Sequence, residues 1–242
     1  MYKDSKLRTL TKAFTWRVTA TLTTMTLVLI FTGKLDTAIE VGALELIAKM
    51  LFYYLHERGW AKIGFGRIEV PSFVLWITGI PVSGKTTLGN LIYEELAKEK
   101  LKVQRLDSHD IRPLFPETGF TREEVNNHIK RVGHLASMLE KNGVITIASF
   151  VSPYAESRAF VREICKNYVE IHLDSDPEFA RQYDRKGFYQ KAEAEHYINV
   201  PGLDILFEHC DKTELKFDMR KTSLDEVRKE VMKFLHKRFL NV

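Results

Sequence analysis

Residues 79–86 read GIPVSGKT. Two glycines bracket a short loop closed by lysine and threonine, and the chemistry of those types at that spacing is the holding of a triphosphate. Gly79 and Gly84 let backbone N–H groups turn inward on phosphate oxygens, Lys85 reaches between the β and γ phosphates, and Thr86 offers its hydroxyl to Mg²⁺. Ile80, Pro81, Val82 and Ser83 form the span between the glycines, and Thr87 follows into a helix whose N-terminal partial charge faces the anion. The expected ligand is therefore a nucleoside triphosphate with Mg²⁺. A β-rich apolar run precedes the loop at residues 73–78, and a helical pattern with Leu88, Leu91, Ile92 and Leu96 follows it. That order of strand, loop and helix is the context such a match requires.

The loop needs a scaffold, and the rest of the sequence offers one. Apolar runs at 102–107 (KVQRLD), 144–150 (VITIASF) and 168–174 (YVEIHLD) alternate with helical patterns near 121–142, 155–166 and 176–184. An amphipathic helix is expected over 223–239. This alternation predicts an α/β, P-loop NTPase-type parallel sheet with helices on both faces. Ligands in such folds gather at the carboxyl ends of the strands. Residues 107–112, 149–154 and Asp174 therefore belong on the same rim as the loop, and Asp176 before Pro177 reads as a helix N-cap. A domain over 71–242 is short for an ATPase motor and favours a kinase of small molecules.

Charge and hydropathy set the first 68 residues apart. Residues 1–70 carry 10 of the 36 Lys/Arg and 6 of the 32 Asp/Glu, so the remainder is balanced at 26 each. A basic excess confined to that end suggests an anionic membrane surface and no nucleic-acid partner. The run VTATLTTMTLVLIFT from Val18 is uncharged but rich in threonine, and it falls somewhat short of a ~30 Å hydrocarbon core. GKLD supplies a turn, and a second helical segment follows with Glu40, Glu45 and Lys49. A soluble amphipathic pair is the competing reading. Basic residues at both outer ends favour an α-helical transmembrane hairpin over residues 1–68 with both termini cytoplasmic. The expected location is the inner, cytoplasmic membrane, with the catalytic domain facing the cytoplasm. No small-residue cleavage site marks a secretory signal. Cys165 and Cys210 lack metal-like spacing and read as thiols in a reducing compartment.

Several separated motifs carry a resemblance. WITGIPVSGKTTLGNLI, LDSHDIR, ETGF, IKRVGHLASMLEKNGVITIASFVSPY, KGFYQKA and PGLDILFE, in that order, resemble the adenylylsulfate (APS) kinase family over most of residues 73–220. The resemblance implies transfer of the ATP γ-phosphoryl to the 3′-hydroxyl of adenylylsulfate. It implies ATP and Mg²⁺ at Lys85 and Thr86, a nucleotide acceptor held by Arg112, Phe120 and Arg131, and backbone contacts from Val151 and Ser152. Lys186 and Lys191 would belong to a mobile lid, and a homodimer is among the expected assemblies. Departures from the family pattern fall on the acceptor side. The second aspartate of the family's D-G-D-N-[VI]-R is His109, leaving Asp107, His109 and Asp110 as candidate catalytic groups. An arginine and an asparagine become Val125 and His128, the arginine after S-P-[YH] is Ala155, and a lid arginine becomes Tyr183. These changes keep open a same-fold kinase acting on a different nucleotide acceptor, or a nucleotide-binding module whose catalysis has lapsed. The N-terminal segment, with T-x-R-x-x-A and AKMLFYYLHERGWAKI, resembles a small predicted two-helix membrane domain of unknown function.

Overall fold

The structure, a computed structural model, describes residues 2–4, 6–31, 38–65, 67–185, 187–194, 198–201 and 203–240. The chain divides into two compact units, Tyr2–Val70 and the chain from Pro71 onward.

In the first unit a short strand β1 (Tyr2–Asp4) pairs antiparallel with β2 (Arg67–Glu69), and between them run two long helices, α1 (Lys6–Phe31) and α2 (Ala38–Lys62). Arg8 closes the pair. Its guanidinium, 1% exposed, donates to the carbonyls of Trp60 and Ile63 at 2.8 Å each, and lies 5.2 Å from the Trp60 ring centroid. Carbonyls at a helix C-terminus lack partners within the helix, so a buried cation there satisfies them. Among the described residues no helix is long and apolar enough to cross a membrane. The expected helical hairpin is present. Its composition keeps the described helices below that apolarity: threonines recur along α1, and Glu40, Glu45, Lys49, Glu57 and Arg58 punctuate α2. The turn at 33–36 and the side chains of Glu40 and Glu45 lie outside the described residues.

The second unit alternates strand and helix. Its elements are β3 (Val74–Thr78), α3 (Lys85–Lys98), β4 (Val103–Asp107), α4 (Ser108–Ile111) and a 3-10 turn Arg112–Leu114. Then come α5 (Arg122–Lys141), β5 (Ile145–Ser149), α6 (Ala155–Ile164), β6 (Tyr168–Asp174), α7 (Pro177–Arg181), α8 (Phe188–Ala194), β7 (Leu215–Asp218) and α9 (Leu224–Leu235), which runs into a π-helical turn at His236–Leu240. The five strands form one parallel sheet in the order β4-β5-β3-β6-β7. Every residue of β3 is buried, as expected of a central strand covered on both faces. Val74 and Trp76 face Ile129, Val132 and Ala136 of α5 and Val161 of α6. The alternate residues face the opposite layer, where Phe73 stacks on Phe239 at 4.5 Å.

Both long amphipathic helices begin in capping boxes, Thr121 with Glu124 and Ser223 with Glu226, and Asp176 accepts the Phe179 N–H as the expected N-cap. β7 was not expected; it is a four-residue edge strand with no buried residue. Cys165 is buried and burial pushes its thiol up to about 12, which makes it an inert core residue.

Candidate active site

The loop after β3 is built around two residues that need left-handed backbone. Gly79 has φ 150° and Gly84 φ 95°, and a Cβ on Gly79 would stand 2.5 Å from the Leu173 carbonyl oxygen of β6. Val82 also takes φ 64°, unusual for a β-branched residue. Lys85, 8% exposed, curls back under the loop and its Nζ donates to the Ile80 carbonyl at 2.6 Å. Burial pulls its pKa down to about 7, against the opposing pull of the Asp107 carboxylate.

Asp107 ends β4 beneath the same loop. Its Oδ2 accepts the Thr86 hydroxyl at 2.7 Å, and its Oδ1 accepts the His109 N–H at 3.0 Å, which caps α4. The register sets Asp107 level with Ser149, and Ile77 level with Ser149, so the ends of β4, β5 and β3 share one rim. Ser149 adds a bond from its Oγ to the Lys85 carbonyl at 3.3 Å. The other two candidate catalytic groups lie elsewhere. Asp110 is exposed and paired with Arg105 at 3.3 Å, and the His109 side chain is exposed. Of the three, only Asp107 touches the loop.

Beyond α4 the chain builds an aromatic and cationic wall. Arg112 donates through Nη2 to the carbonyls of Thr118 and Gly119, at 2.9 and 3.1 Å, and its guanidinium lies 4.1 Å from the centroid of Phe120. The two residues thus form one unit: Arg112 steadies the loop and covers the Phe120 ring, which is still 59% exposed. Burial lowers the Arg112 pKa, and Glu124 opposes that shift. Arg131 is exposed, 5.6 Å from the Phe115 ring. His128 is 4% exposed, sits edge-on to Phe115 and Phe150, and neither ring nitrogen has a protein partner. Burial, with Arg112 and Arg131 nearby, pushes its pKa down to about 4, so it is a neutral imidazole at physiological pH. Val125 packs against the core.

Val151 and Ser152 were expected to contact the acceptor through their backbone. Their carbonyls are engaged within the fold: Val151 accepts from Thr78 Oγ1 at 2.6 Å, and Ser152, with φ 45°, accepts from Arg158 Nη1 at 2.6 Å. At Ala155, where the family pattern has arginine, the N–H donates to Glu208 Oε2 at 2.8 Å. Glu208 in turn pairs with Arg122 at 2.7 Å, whose guanidinium lies 4.3 Å from the Tyr154 ring. Lys191 is exposed on α8, and Lys186 lies outside the described residues. Tyr189 of the KGFYQKA segment adds a contact to the loop. It is 1% exposed, packs with Ile80 and Ala180, and its hydroxyl donates to the Pro81 carbonyl at 2.9 Å. Its partner is a backbone carbonyl remote in sequence, which no side-chain pattern reports.

Comparison with known proteins agrees with this geometry. The family model described as "Adenylylsulphate kinase" matches residues 71–218, and that described as "Predicted membrane protein (DUF2061)" matches residues 10–61. A probable adenylyl-sulfate kinase of Pseudomonas aeruginosa is 34% identical over 160 residues, covering 66% of this chain and 75% of that protein. A probable adenylyl-sulfate kinase of Archaeoglobus fulgidus is 38% identical over 151 residues, covering 62% of this chain and 97% of that protein. Among solved structures, the Mycobacterium tuberculosis APS kinase in complex with AMPPNP and APS superposes with a TM-score of 0.64 at 25% identity, covering 69% of this chain and 99% of that one. With the family model spanning more than half of its length and the phosphate loop, rim and sheet order in place, this chain belongs to the adenylylsulphate kinase family.

Proposed function

We propose that this chain is an adenylylsulfate kinase that moves the γ-phosphoryl group of ATP to the 3′-hydroxyl of adenylylsulfate, giving 3′-phosphoadenylylsulfate and ADP. The observation that carries the reading is the floor of the phosphate loop, where Lys85 and the Thr86–Asp107 pair lie on the rim shared with the Arg112–Phe120 unit. Phosphoryl transfer of this kind asks the protein chiefly for positioning and charge stabilisation. Lys85 leaves the Ile80 carbonyl for the phosphate oxygens. Asp107 orients the Thr86 hydroxyl, and the two supply oxygen donors 2.7 Å apart under the loop, a donor set that suits Mg²⁺. When bound, that ion neutralises charge on the β and γ phosphates. Phe120 offers the face not covered by Arg112 to the acceptor base, and Arg112 and Arg131 supply positive charge for its anionic groups. As the O3′–P bond forms and the bond to ADP breaks, the hydroxyl proton leaves to a group on the rim, where Asp107 is the one candidate of the three that touches the loop. The α8 helix, with Lys191, closes over the site and excludes water as a competing acceptor.

A second reading has its own observation. Val125, His128 and Ala155 remove cationic or amide groups from the acceptor side, and His128 buries an imidazole with both nitrogens unpartnered. That arrangement supports a same-fold kinase for a different nucleotide. Both readings tie the chain to a membrane through residues 1–68, an association supported by the match at 10–61 and the basic excess in residues 1–70.

The test is phosphoryl transfer by the purified full chain with MgATP, offering adenylylsulfate beside a panel of other nucleotides, with products identified by mass. Transfer to adenylylsulfate, reduced at least ~1,000-fold in Lys85→Ala, is the expected result. Transfer only to another nucleotide would replace the first reading by the second. ATP binding without transfer to any acceptor would show a lapsed enzyme.

A further inference from the structure

The hairpin is inside-out for a helix pair in water. On α1, Thr11, Thr15, Thr19 and Thr23 recur every four residues, each Oγ1 bonded to the carbonyl one turn back; Thr15, like Arg8, meets α2, and Thr23 is buried. Thr15 meets His56 Nε2 at 3.0 Å, Lys12 pairs with Glu57 at 3.6 Å, and Trp16 stands edge-on to Tyr53 at 5.0 Å. These polar groups lie between the helices. Among the described residues, a set of apolar side chains faces outward beside the exposed Arg58 and Lys62. Leu7, Leu10, Phe14 and Val18 form a stripe at helical spacing and are 61, 68, 69 and 45% exposed; on α2, Met50, Leu51, Tyr54 and Leu55 are between 53 and 67% exposed.

A soluble amphipathic pair buries its apolar stripe and shows water its polar one. The reverse arrangement belongs to helices in lipid, where hydrogen-bonding side chains join helix to helix and apolar ones face the hydrocarbon. Large exposed apolar patches call for a cover. The surplus of 10 Lys/Arg over 6 Asp/Glu in residues 1–70 fits an anionic lipid surface better than a second, equally basic copy of the hairpin.

We infer that the outer surface of this hairpin, formed by Leu7, Leu10, Phe14 and Val18 of α1 with Met50, Leu51, Tyr54 and Leu55 of α2, is a lipid-contact surface selective for anionic bilayers. The inference rests on the membrane reading above and deepens it by naming the face and the lipid charge.

The experiment is flotation of the full chain with vesicles of phosphatidylcholine alone or mixed with phosphatidylglycerol, at low and high salt, beside the double variant Leu10→Asp, Phe14→Asp. The chain should float with the phosphatidylglycerol vesicles and much less with phosphatidylcholine alone or in high salt. The double variant should lower vesicle binding at least ~10-fold while phosphoryl transfer in solution stays unchanged and the far-UV helicity of the full chain matches the wild type, the helicity showing that the hairpin is folded. Undiminished flotation of the double variant would overturn the assignment of this face and leave the membrane reading standing. Equal binding to both vesicle types would overturn the lipid-charge selectivity. A wild-type chain that stays unbound with every vesicle and sediments as a dimer would overturn both, giving the face to a second copy.

Discussion

Lys85 illustrates how a single residue couples a buried position to ligand charge. With its ammonium against the Ile80 carbonyl, burial holds its pKa down to about 7, well below the ordinary lysine range. Phosphate oxygens brought within reach favour the charged form and raise the pKa again. Between pH 7 and the restored value, the bound state therefore holds a proton that the free state lacks. Two consequences follow by linkage. Calorimetric titration of MgATP at pH 8, repeated in buffers of different ionisation heat, should show uptake approaching one proton per ATP bound. Affinity should also increase as the pH is lowered from 9 to 7. Lys85→Met should bind weakly and take up no proton. Wild-type binding without proton uptake would mean that Lys85 is already charged on the Ile80 carbonyl. The same attention to direction separates the neighbouring carboxylates: Asp107 and Asp110 are three residues apart, yet the first caps α4 beneath the loop and the second pairs with Arg105.

At the level of elements, the distinctive join is between α8 and the phosphate loop. The Tyr189 hydroxyl holds the Pro81 carbonyl, and the ring packs on Ile80, whose own carbonyl receives Lys85. Any movement of α8 is thereby felt at the residues that must rearrange for triphosphate. Tyr189→Phe removes only the hydroxyl. A net hydrogen bond is worth ~1 kcal/mol, so the expected loss in Tm is a few degrees. The expected kinetic effect is larger and specific: KM for ATP should rise about 3- to 10-fold while KM for the acceptor holds. An unchanged KM for ATP would reduce the contact to packing. Sequence pattern could locate the elements being joined but not the join. The runs at 73–78, 144–150 and 168–174 were legible because central strands bury both faces, and the run at 102–107, an edge strand that buries only Leu106 and Asp107, was legible from its place between helical patterns. β7 was not, because a four-residue edge strand with no buried residue carries no such signal. The loop was legible from glycine and lysine spacing. The Arg112–Phe120 stack was not, since it forms across an irregular loop where no period applies, and the Tyr189 bond was not, since its partner is a carbonyl.

For the whole molecule, the two units make separable demands. The chain from Pro71 onward has its own parallel sheet, a core running from Val74 and Trp76 to Val161, capped helices, and all the loop and rim contacts that the reaction uses. The chain up to Val70 closes on itself through Arg8 and the β1–β2 pair. Nothing in the chemistry of the loop requires a group from the hairpin. Residues 71–242 expressed alone should therefore fold, with a Tm within a few degrees of the kinase transition in the full chain. They should transfer phosphoryl groups with kcat and KM within about twofold of the full chain in vesicle-free solution. The same fragment should be lost from the membrane fraction of cells. Comparing steady-state kinetics and cell fractionation of the two forms checks this. A fragment that folds but loses its kcat would show that the hairpin supplies something to the site. A fragment that stays with membranes would show that the kinase unit carries a membrane contact of its own, and the hairpin would then need another purpose.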